Sequence, residues 1–305
     1  MAGEGRPSLA LVAAGRVVDA PPARAMTVGA VPATWAGMTL DRPRVMGILN
    51  VTPDSFSDGG RHLDPRRAVE AGQEMAAAGA DIVDVGGEST RPGAAPVSPH
   101  EEQARVLPVI RGLAPAGLRI SIDTRNAATM AAALDAGAAI VNDVSGLSHD
   151  PASAALVAAR GCPVILMHMR GDPRTMNARA VYADIAREVA AELCDRIAAA
   201  ETAGIARSAI AIDPGIGFAK LAPHSLELLR RLPELAVLGR PILVGVSRKS
   251  FIGRIGEEPD QQRRFPGSIA AGLFALSRGA HILRVHDVAE TVQAIKLWSA
   301  LTGPA

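Results

Sequence analysis

Asp123, Asp213, Lys249, Arg284 and His286 are the ionisable side chains whose placement suggests joint chemistry, and the amides of Asn50 and Asn142 stand in similar positions. Each lies at or just beyond the end of a short apolar run. Along the chain the run ends are Asn50, Asp84 with Glu88 beyond it, Asp123, Asn142 with Asp143, His168, Asp213, Ser247 to Lys249, and Arg284 with His286 and Asp287. A buried polar group without a partner is costly, so polar ends gathered at one place need water, each other or a ligand. Capping of the next segment competes as an explanation for any one of them. It weakens when every run ends the same way.

The residue types restrict the ligand. An ionised carboxylate is a two-oxygen acceptor, which suits Asp123 and Asp213 to an amino-pyrimidine edge with adjacent N–H donors. Asn142 both donates and accepts, and Lys249 can meet a ring carbonyl or a ring nitrogen. These four predict a pocket for a flat, donor-rich heterocycle such as a pterin or a purine. Asp213 also fits a turn cap in "DPGIGFAK". Asn50, Arg284 and His286 offer an amide oxygen, a guanidinium and an imidazole, a set for phosphate or pyrophosphate carrying a hard divalent cation. His286 alone could equally be a core histidine. No catalytic zinc centre is expected, because three Cys or His ligands are not available there.

The runs themselves are Val45 to Asn50, Asp81 to Gly86, Arg119 to Asp123, Ala139 to Asn142, Val164 to His168, Ala209 to Asp213, Ile242 to Ser247 and Ile282 to His286. Their near-continuous apolar character predicts parallel strands covered on both faces. Alanine-rich segments of helical period separate them: Asp64 to Ala78, Ser98 to Leu113, Asn126 to Ala136, Asp150 to Arg160, Val181 to Ala203, Pro223 to Leu232, Pro266 to Arg278 and Val288 to Leu301. Asp64-Pro65 is an N-cap followed by a first-turn proline, and Ser98 and Glu101 have capping-box spacing. Gly79, Gly137, Gly161, Gly204 and Gly279 close helices in the C′ position. Eight such units predict a (β/α)₈ TIM barrel, with a doubly wound open sheet as the alternative. In a barrel all the polar ends converge on one rim. Two long loops, Val51 to His62 and Gly86 to Ser98, would lie over that rim as water-excluding lids.

Composition sets the remaining bounds. The chain has 305 residues, 48% hydrophobic and 21% charged, with a net charge of +1, which gives no footprint for nucleic acid or an anionic membrane. No apolar run approaches the roughly 20 residues of a membrane helix. Cys162 and Cys194 are the only cysteines and suggest structural thiols in a reducing, cytoplasmic compartment. Residues 1–33 read as an extension to a single domain over 34–305, with "SLALVAAGRVVDA" expected to pair as a hairpin with the segment Thr34 to Val45. Gly256 to Arg264 reads as a solvated charged loop.

From about Val45 to Leu301 the sequence resembles the dihydropteroate synthases, through "MGILNVTPDSFSDGG", "DIVDVGGESTRPGA", "ISIDT", "IVNDVSG", "DPGIGFAK", "VGVSRKSFIG" and "RVHDV" in that order. The resemblance implies a Mg²⁺-dependent condensation of 6-hydroxymethyl-7,8-dihydropterin pyrophosphate with 4-aminobenzoate, inhibited by sulfonamides, in a homodimer formed through late helices. It implies Asp123, Asn142, Asp213 and Lys249 on the pterin, with Met167 lining the pocket. Asn50, Arg284 and His286 would hold Mg²⁺-pyrophosphate, with Asn50 on the metal. Phe56, Thr90, Arg91, Pro92, Phe218, Lys249 and Ser250 would shape the 4-aminobenzoate site. Asp58, with Asp54 nearby, is a candidate for ordering the first lid or the Mg²⁺ shell. His168 and His281 are expected to be structural. A corrinoid-dependent methyltransferase barrel would share the heterocycle pocket but needs neither the paired loops nor the anion groups. A silent pterin carrier would not need Asn50, Arg284 and His286.

Overall fold

The computed structural model describes residues 30–52, 64–89 and 97–303. The expected hairpin strand at 8–20 and the loop candidates Asp54, Phe56, Asp58, Thr90, Arg91 and Pro92 lie outside these residues. Eight parallel strands form the barrel: β3 (Arg44–Asn50), β4 (Ile82–Gly86), β5 (Ile120–Asp123), β6 (Ile140–Asp143), β7 (Val164–Met167), β8 (Ile210–Asp213), β9 (Leu243–Val244) and β10 (Ile282–Val285). Their order is β8-β7-β6-β5-β4-β3-β10-β9, so the first and last barrel strands are neighbours. A bridge between Ile212 and Ile242, with Ile212 N–H donating to Pro241 O at 2.9 Å, joins β8 to β9. This is a TIM barrel, as the eight strand-helix units predict.

Outward-facing Val45, Val83, Ile122, Val141, Leu166, Ile212 and Leu283 pack on helix residues such as Val106, Ile110, Met130, Leu193 and Leu228. Inside the barrel lies a second apolar layer of Met46, Ile82, Ile140, Ile165, Ala211, Leu243 and Ile282. Side chains alternate along a strand, so the residue two positions on faces inward one level higher. From Ile82, Ile140, Ile165, Ala211 and Ile282 that step reaches Asp84, Asn142, Met167, Asp213 and Arg284. The barrel interior is thus apolar at one end and charged at the other.

The apolar end is plugged. Strands β1 (Thr34–Trp35) and β2 (Met38–Thr39) pair with each other around Ala36 (φ +50°) and Gly37 (φ +71°), a left-handed turn suited to a tight hairpin. Segment 34–39 is therefore self-paired. Trp35 is fully buried in the interior layer, and its Nε1–H donates to Ala209 O at 2.9 Å.

Helices α1 (Pro65–Ala77), α2 (Pro99–Leu113), α3 (Ala127–Ala136), α4 (Ser153–Arg160), α5 (Ile185–Thr202), α6 (Ala222–Arg230), α7 (Ser250–Ile255), α8 (Phe265–Ser277) and α9 (Val288–Thr302) cover the sheet. Asp64 caps α1 through the Arg66 N–H, and Ser98 Oγ accepts from Glu101 N–H at 3.2 Å. The Glu101 carboxylate turns to Arg105, so only half of the capping box forms. All five expected helix-ending glycines have positive φ, from +59° at Gly161 to +116° at Gly137. Helix α5 starts at Ile185 rather than Val181, because Asp184 caps it and Glu188 accepts the N–H groups of Ala183 and Asp184. Strand β9 is shorter than expected. After it the Arg248 N–H goes to Ser268 Oγ (2.8 Å) and the Lys249 N–H to Val246 O (3.2 Å), which turns the chain into the unforeseen short helix α7. The 256–264 loop is more than solvated surface: Gln262 Oε1 accepts from Arg248 Nη1 at 2.5 Å, and Arg264 donates to Glu258 O and Pro259 O.

Candidate active site

The charged interior level holds a connected cluster. Arg284 Nε donates to Asp84 Oδ2 at 2.6 Å, and Arg284 Nη2 to Asp123 Oδ2 at 2.6 Å. Asn142 Nδ2 donates to the same Asp84 oxygen at 3.0 Å. The second oxygen, Asp84 Oδ1, is buried with no hydrogen-bond partner among the described residues. Asp84, missed as a site residue by the sequence reading, therefore aims both Asn142 and Arg284. The signal that could have found it is its spacing from Ile82, the inward step that also marks Asn142 and Arg284.

Electrostatics follow from this crowding. Burial pushes Asp123 up to about 7, opposed by Arg284 and reinforced by Asp84 and Glu102. Asp213 is also raised by burial, while Gly215 N–H, donating to its Oδ1 at 2.7 Å, and the Lys249 charge pull the other way. Burial works against the Arg284 charge, but Asp84 and Asp123 outweigh it and raise its pKa further. Lys249 is brought down to about 8, chiefly by burial. Its ammonium lies 3.9 Å over the Phe218 ring, a cation–π contact that aligns the two sequence-predicted residues. Gly215 (φ +66°) is required in the intervening turn, because a Cβ there would come within 2.0 Å of His168 O.

His286 stands one turn of the strand pattern above Arg284. Its N–H donates to Ser247 Oγ at 3.2 Å, and its Nδ1 lies 3.0 Å from the same oxygen. Ser247 Oγ can donate its own proton to Nδ1 while accepting the backbone N–H, the arrangement that places the ring proton on Nε2 and that the function proposed below uses. Burial, with the Arg248 and Arg284 charges, pushes the imidazole down to about 3, so His286 is a neutral donor at physiological pH. Arg284 registers against Met46 on β3, and Asn50 ends that strand four residues on, level with Gly86 of β4. Met167 is buried beside the cluster, and Ser250, exposed, opens α7 directly after Lys249. His168 faces a different set of partners, Lys220 and Glu192.

Fold and site together define a TIM barrel with a buried, charged cluster at the C-terminal ends of its strands, the face where such barrels place catalysis. The family model described as pterin binding enzyme matches residues 46–286. The dihydropteroate synthase of Neisseria meningitidis serogroup C is 48% identical over 265 residues, 86% of this chain and 94% of that protein. The Xanthomonas albilineans dihydropteroate synthase structure with 4-aminobenzoic acid superposes with a TM-score of 0.83 at 48% identity, covering 88% of this chain and 96% of that one. The same enzyme in complex with 7,8-dihydropteroate gives a TM-score of 0.80 at 45% identity, covering 88% and 97%. The chain belongs to the dihydropteroate synthase family of pterin-binding enzymes.

Proposed function

We propose that this chain condenses 6-hydroxymethyl-7,8-dihydropterin pyrophosphate with 4-aminobenzoate, giving 7,8-dihydropteroate and pyrophosphate in folate biosynthesis. The observation that carries the reading is the cluster in which Asp84 joins Asn142 to Arg284 while Arg284 reaches Asp123. It sets acceptors for an amino-pyrimidine edge beside a fixed cation for a leaving anion, inside a chain of this family. Asp123, Asn142, Asp213 and Lys249 hold the pterin against Met167. Arg284 and the neutral Nε2–H of His286 meet pyrophosphate. Phe56, Thr90, Arg91, Pro92, Phe218 and Ser250 form the 4-aminobenzoate site, where sulfonamides compete; the first, second, third and fourth of these rest on the family pattern.

The reaction is a dissociative substitution. The bond from the pterin methylene carbon to the pyrophosphate oxygen breaks, the 4-aminobenzoate nitrogen bonds to that carbon, and one amine proton is released. Arg284 and His286 stabilise charge growing on the departing pyrophosphate, and the Asp123 carboxylate stabilises the electron-poor pterin methylene. The aryl amine is already nucleophilic when neutral, so no strong base is required.

The donor set fits Mg²⁺. No group of three or more His, Cys, Asp or Glu among the described residues could form a metal cage, and Mg²⁺ prefers substrate phosphates, water and few protein oxygens. The Asn50 amide oxygen would hold it, and when bound it would neutralise pyrophosphate charge. We extend the reading to a cytoplasmic homodimer. Its support is Phe274 on α8 and Leu297 and Leu301 on α9, all exposed, and two unpaired cysteines. No helix of the described residues is long and apolar enough to cross a membrane. The test is pyrophosphate release with and without 4-aminobenzoate and Mg²⁺. Release that requires both is expected; turnover indifferent to 4-aminobenzoate sinks the reading, and light scattering that finds only monomer sinks the dimer.

A further inference from the structure

Lys220 is almost fully buried, at 5% exposure, and takes no part in the reaction above. Its Nζ lies 2.8 Å from His168 Nδ1, 3.0 Å from Phe218 O and 3.5 Å from His168 O. On the far side of the imidazole, His168 Nε2 is 3.0 Å from Glu192 Oε2. The other Glu192 oxygen accepts from Arg170, whose guanidinium sits 4.0 Å over the Tyr182 ring. Tyr182 then returns to the same loop, its hydroxyl donating to Ala219 O at 3.0 Å.

The direction of these bonds is fixed. Although burial opposes it, hydrogen bonds from His168 and Arg170 hold Glu192 down at about 2, so it is an acceptor only. Burial and the Lys220 charge push His168 down to about 4, so the ring is neutral with its single proton on Nε2, facing Glu192. Nδ1 must therefore accept, and the donor is Lys220. One amine thereby ties the end of β7, through His168, to the main chain of Phe218. Between them the chain passes Gly215 and Gly217 at positive φ and reaches Ala219 at φ +49°, a left-handed conformation unfavourable for alanine. Such a backbone persists only where its surroundings over-determine it. Here Lys220, Tyr182 and Asp213 do so. Phe218 in turn carries the ring beneath Lys249, and a Cβ at Gly217 would lie 3.3 Å from the Lys249 side chain.

Resting on the pterin reading above, we propose that Lys220 is a positioning residue for the pterin site: held by the Glu192–His168 pair, its amine fixes the Phe218 loop on which Lys249 lies and from which Asp213 is oriented. The relay reaches an open cleft of about 350 Å³ lined by His168, Met169, Glu192, Asp195, Arg196 and Ala199 on the outside of the barrel. The device thus links the outer face of β7 to the loop that follows β8, beside Lys249.

The test uses the full chain, 6-hydroxymethylpterin as probe, and two variants. Lys220→Met should weaken pterin binding by about tenfold, the scale of leaving one buried acceptor without its hydrogen bond. Under saturating pterin pyrophosphate, KM for 4-aminobenzoate should rise as well, because the loop held by Lys220 also carries Phe218 to that site. Tyr182→Phe, which removes only the hydroxyl bond to Ala219 O and keeps the Lys220 amine in place, should weaken the pterin by about threefold, a fraction of one neutral hydrogen bond. Histidine ¹⁵N spectra of the unmutated protein should show His168 neutral and protonated at Nε2, with a bonded Nδ1 signal that shifts in Lys220→Met. Unchanged pterin affinity in both variants overturns the inference, whatever happens to Tm, and so does a His168 protonated at Nδ1. If the unmutated protein binds no pterin, the function reading falls and this inference with it; normal binding there with no change in the variants overturns the inference alone.

Discussion

Replacing Asp123 by asparagine tests the heterocycle half of the site through its pH dependence. The Asp123 carboxyl is raised from 3.8 to about 7, by burial against the pull of Arg284 and with help from Asp84. Only the ionised form presents acceptors alone to the N–H groups of a pterin; the protonated acid carries a donor into the same place. The free site therefore favours the proton and the complex favours the carboxylate, so binding releases a proton below the pKa. Pterin affinity should fall about tenfold for each pH unit below about 7 and level off above it. In Asp123→Asn that limb disappears, because an amide does not titrate. At about pH 8 the variant loses a charge-assisted bond and sets an N–H against an N–H, together about 3–4 kcal/mol or roughly 10²–10³ in Kd. Arg284 keeps Asp84 at 2.6 Å, so the variant should still fold. Isothermal titration with 6-hydroxymethyl-7,8-dihydropterin, in buffers of different ionisation enthalpy, reads affinity and proton release together. A flat profile in the unmutated protein, or an equal slope in the variant, refutes the assignment.

Asp84→Asn should move the same limb to lower pH, since the Asp84 charge helps to raise Asp123; an unmoved limb in the same titration counts against their coupling. His286→Gln, which keeps a donor near the Nε2 position, should retain more turnover than His286→Ala. The unmutated profile should show no break near pH 6.5, the ordinary imidazole range, that the variants lose, because His286 sits at about 3; a break of that kind in the unmutated enzyme, lost in both, argues for an imidazolium instead. Trp35→Ala opens a cavity at the barrel floor and should cost about 3–5 kcal/mol of stability in urea unfolding, with kcat at low temperature unchanged. A destabilisation under about 1 kcal/mol would mean that the hairpin is not part of the barrel core.

Polar groups ending continuous apolar runs made the rim legible from the sequence, since a buried strand rarely finishes on Asn50, Asp123 or Asp213 without a use for them. Chain order was sufficient to place β3 beside β10, because eight strand-helix units leave little choice once the barrel closes. What could not be read were partnerships across distance. Asp84 bonds to Asn142, 58 residues on, and to Arg284, 200 residues on. The spacing from Ile82 turns that aspartate inward, but nothing in "DIVDVGG" names its two partners. Lys220 closes "DPGIGFAK", where a lysine ordinarily reaches solvent, and its burial depends on a histidine from a different strand. The Trp35 plug was hidden for another reason: a two-residue strand has too little periodicity to show which way it faces. Strand β9 is short, and four residues past its end the Arg248 N–H is taken by Ser268 from α8, a partner no local pattern announces.

The Arg284 contacts also change how the two halves of the pocket relate. The sequence suggests separate subsites, carboxylates for the heterocycle and Arg284 with His286 for the anion. In the structure one guanidinium spans both, with Nε on Asp84 and Nη2 on Asp123. On the proposed function, a pterin without its pyrophosphate must compete with Arg284 for the Asp123 oxygens. A pyrophosphate arriving at the rim offers Arg284 a stronger partner and so frees Asp123 for the ring. Both groups belong to one substrate, so each half makes the binding of the other easier, and the coupling is largest for the intact pyrophosphate ester. The same exchange turns the guanidinium toward the oxygen on which charge develops as the bond to carbon breaks. An arginine held by two buried carboxylates is thus a reserve of positive charge that only an anion at the rim draws out.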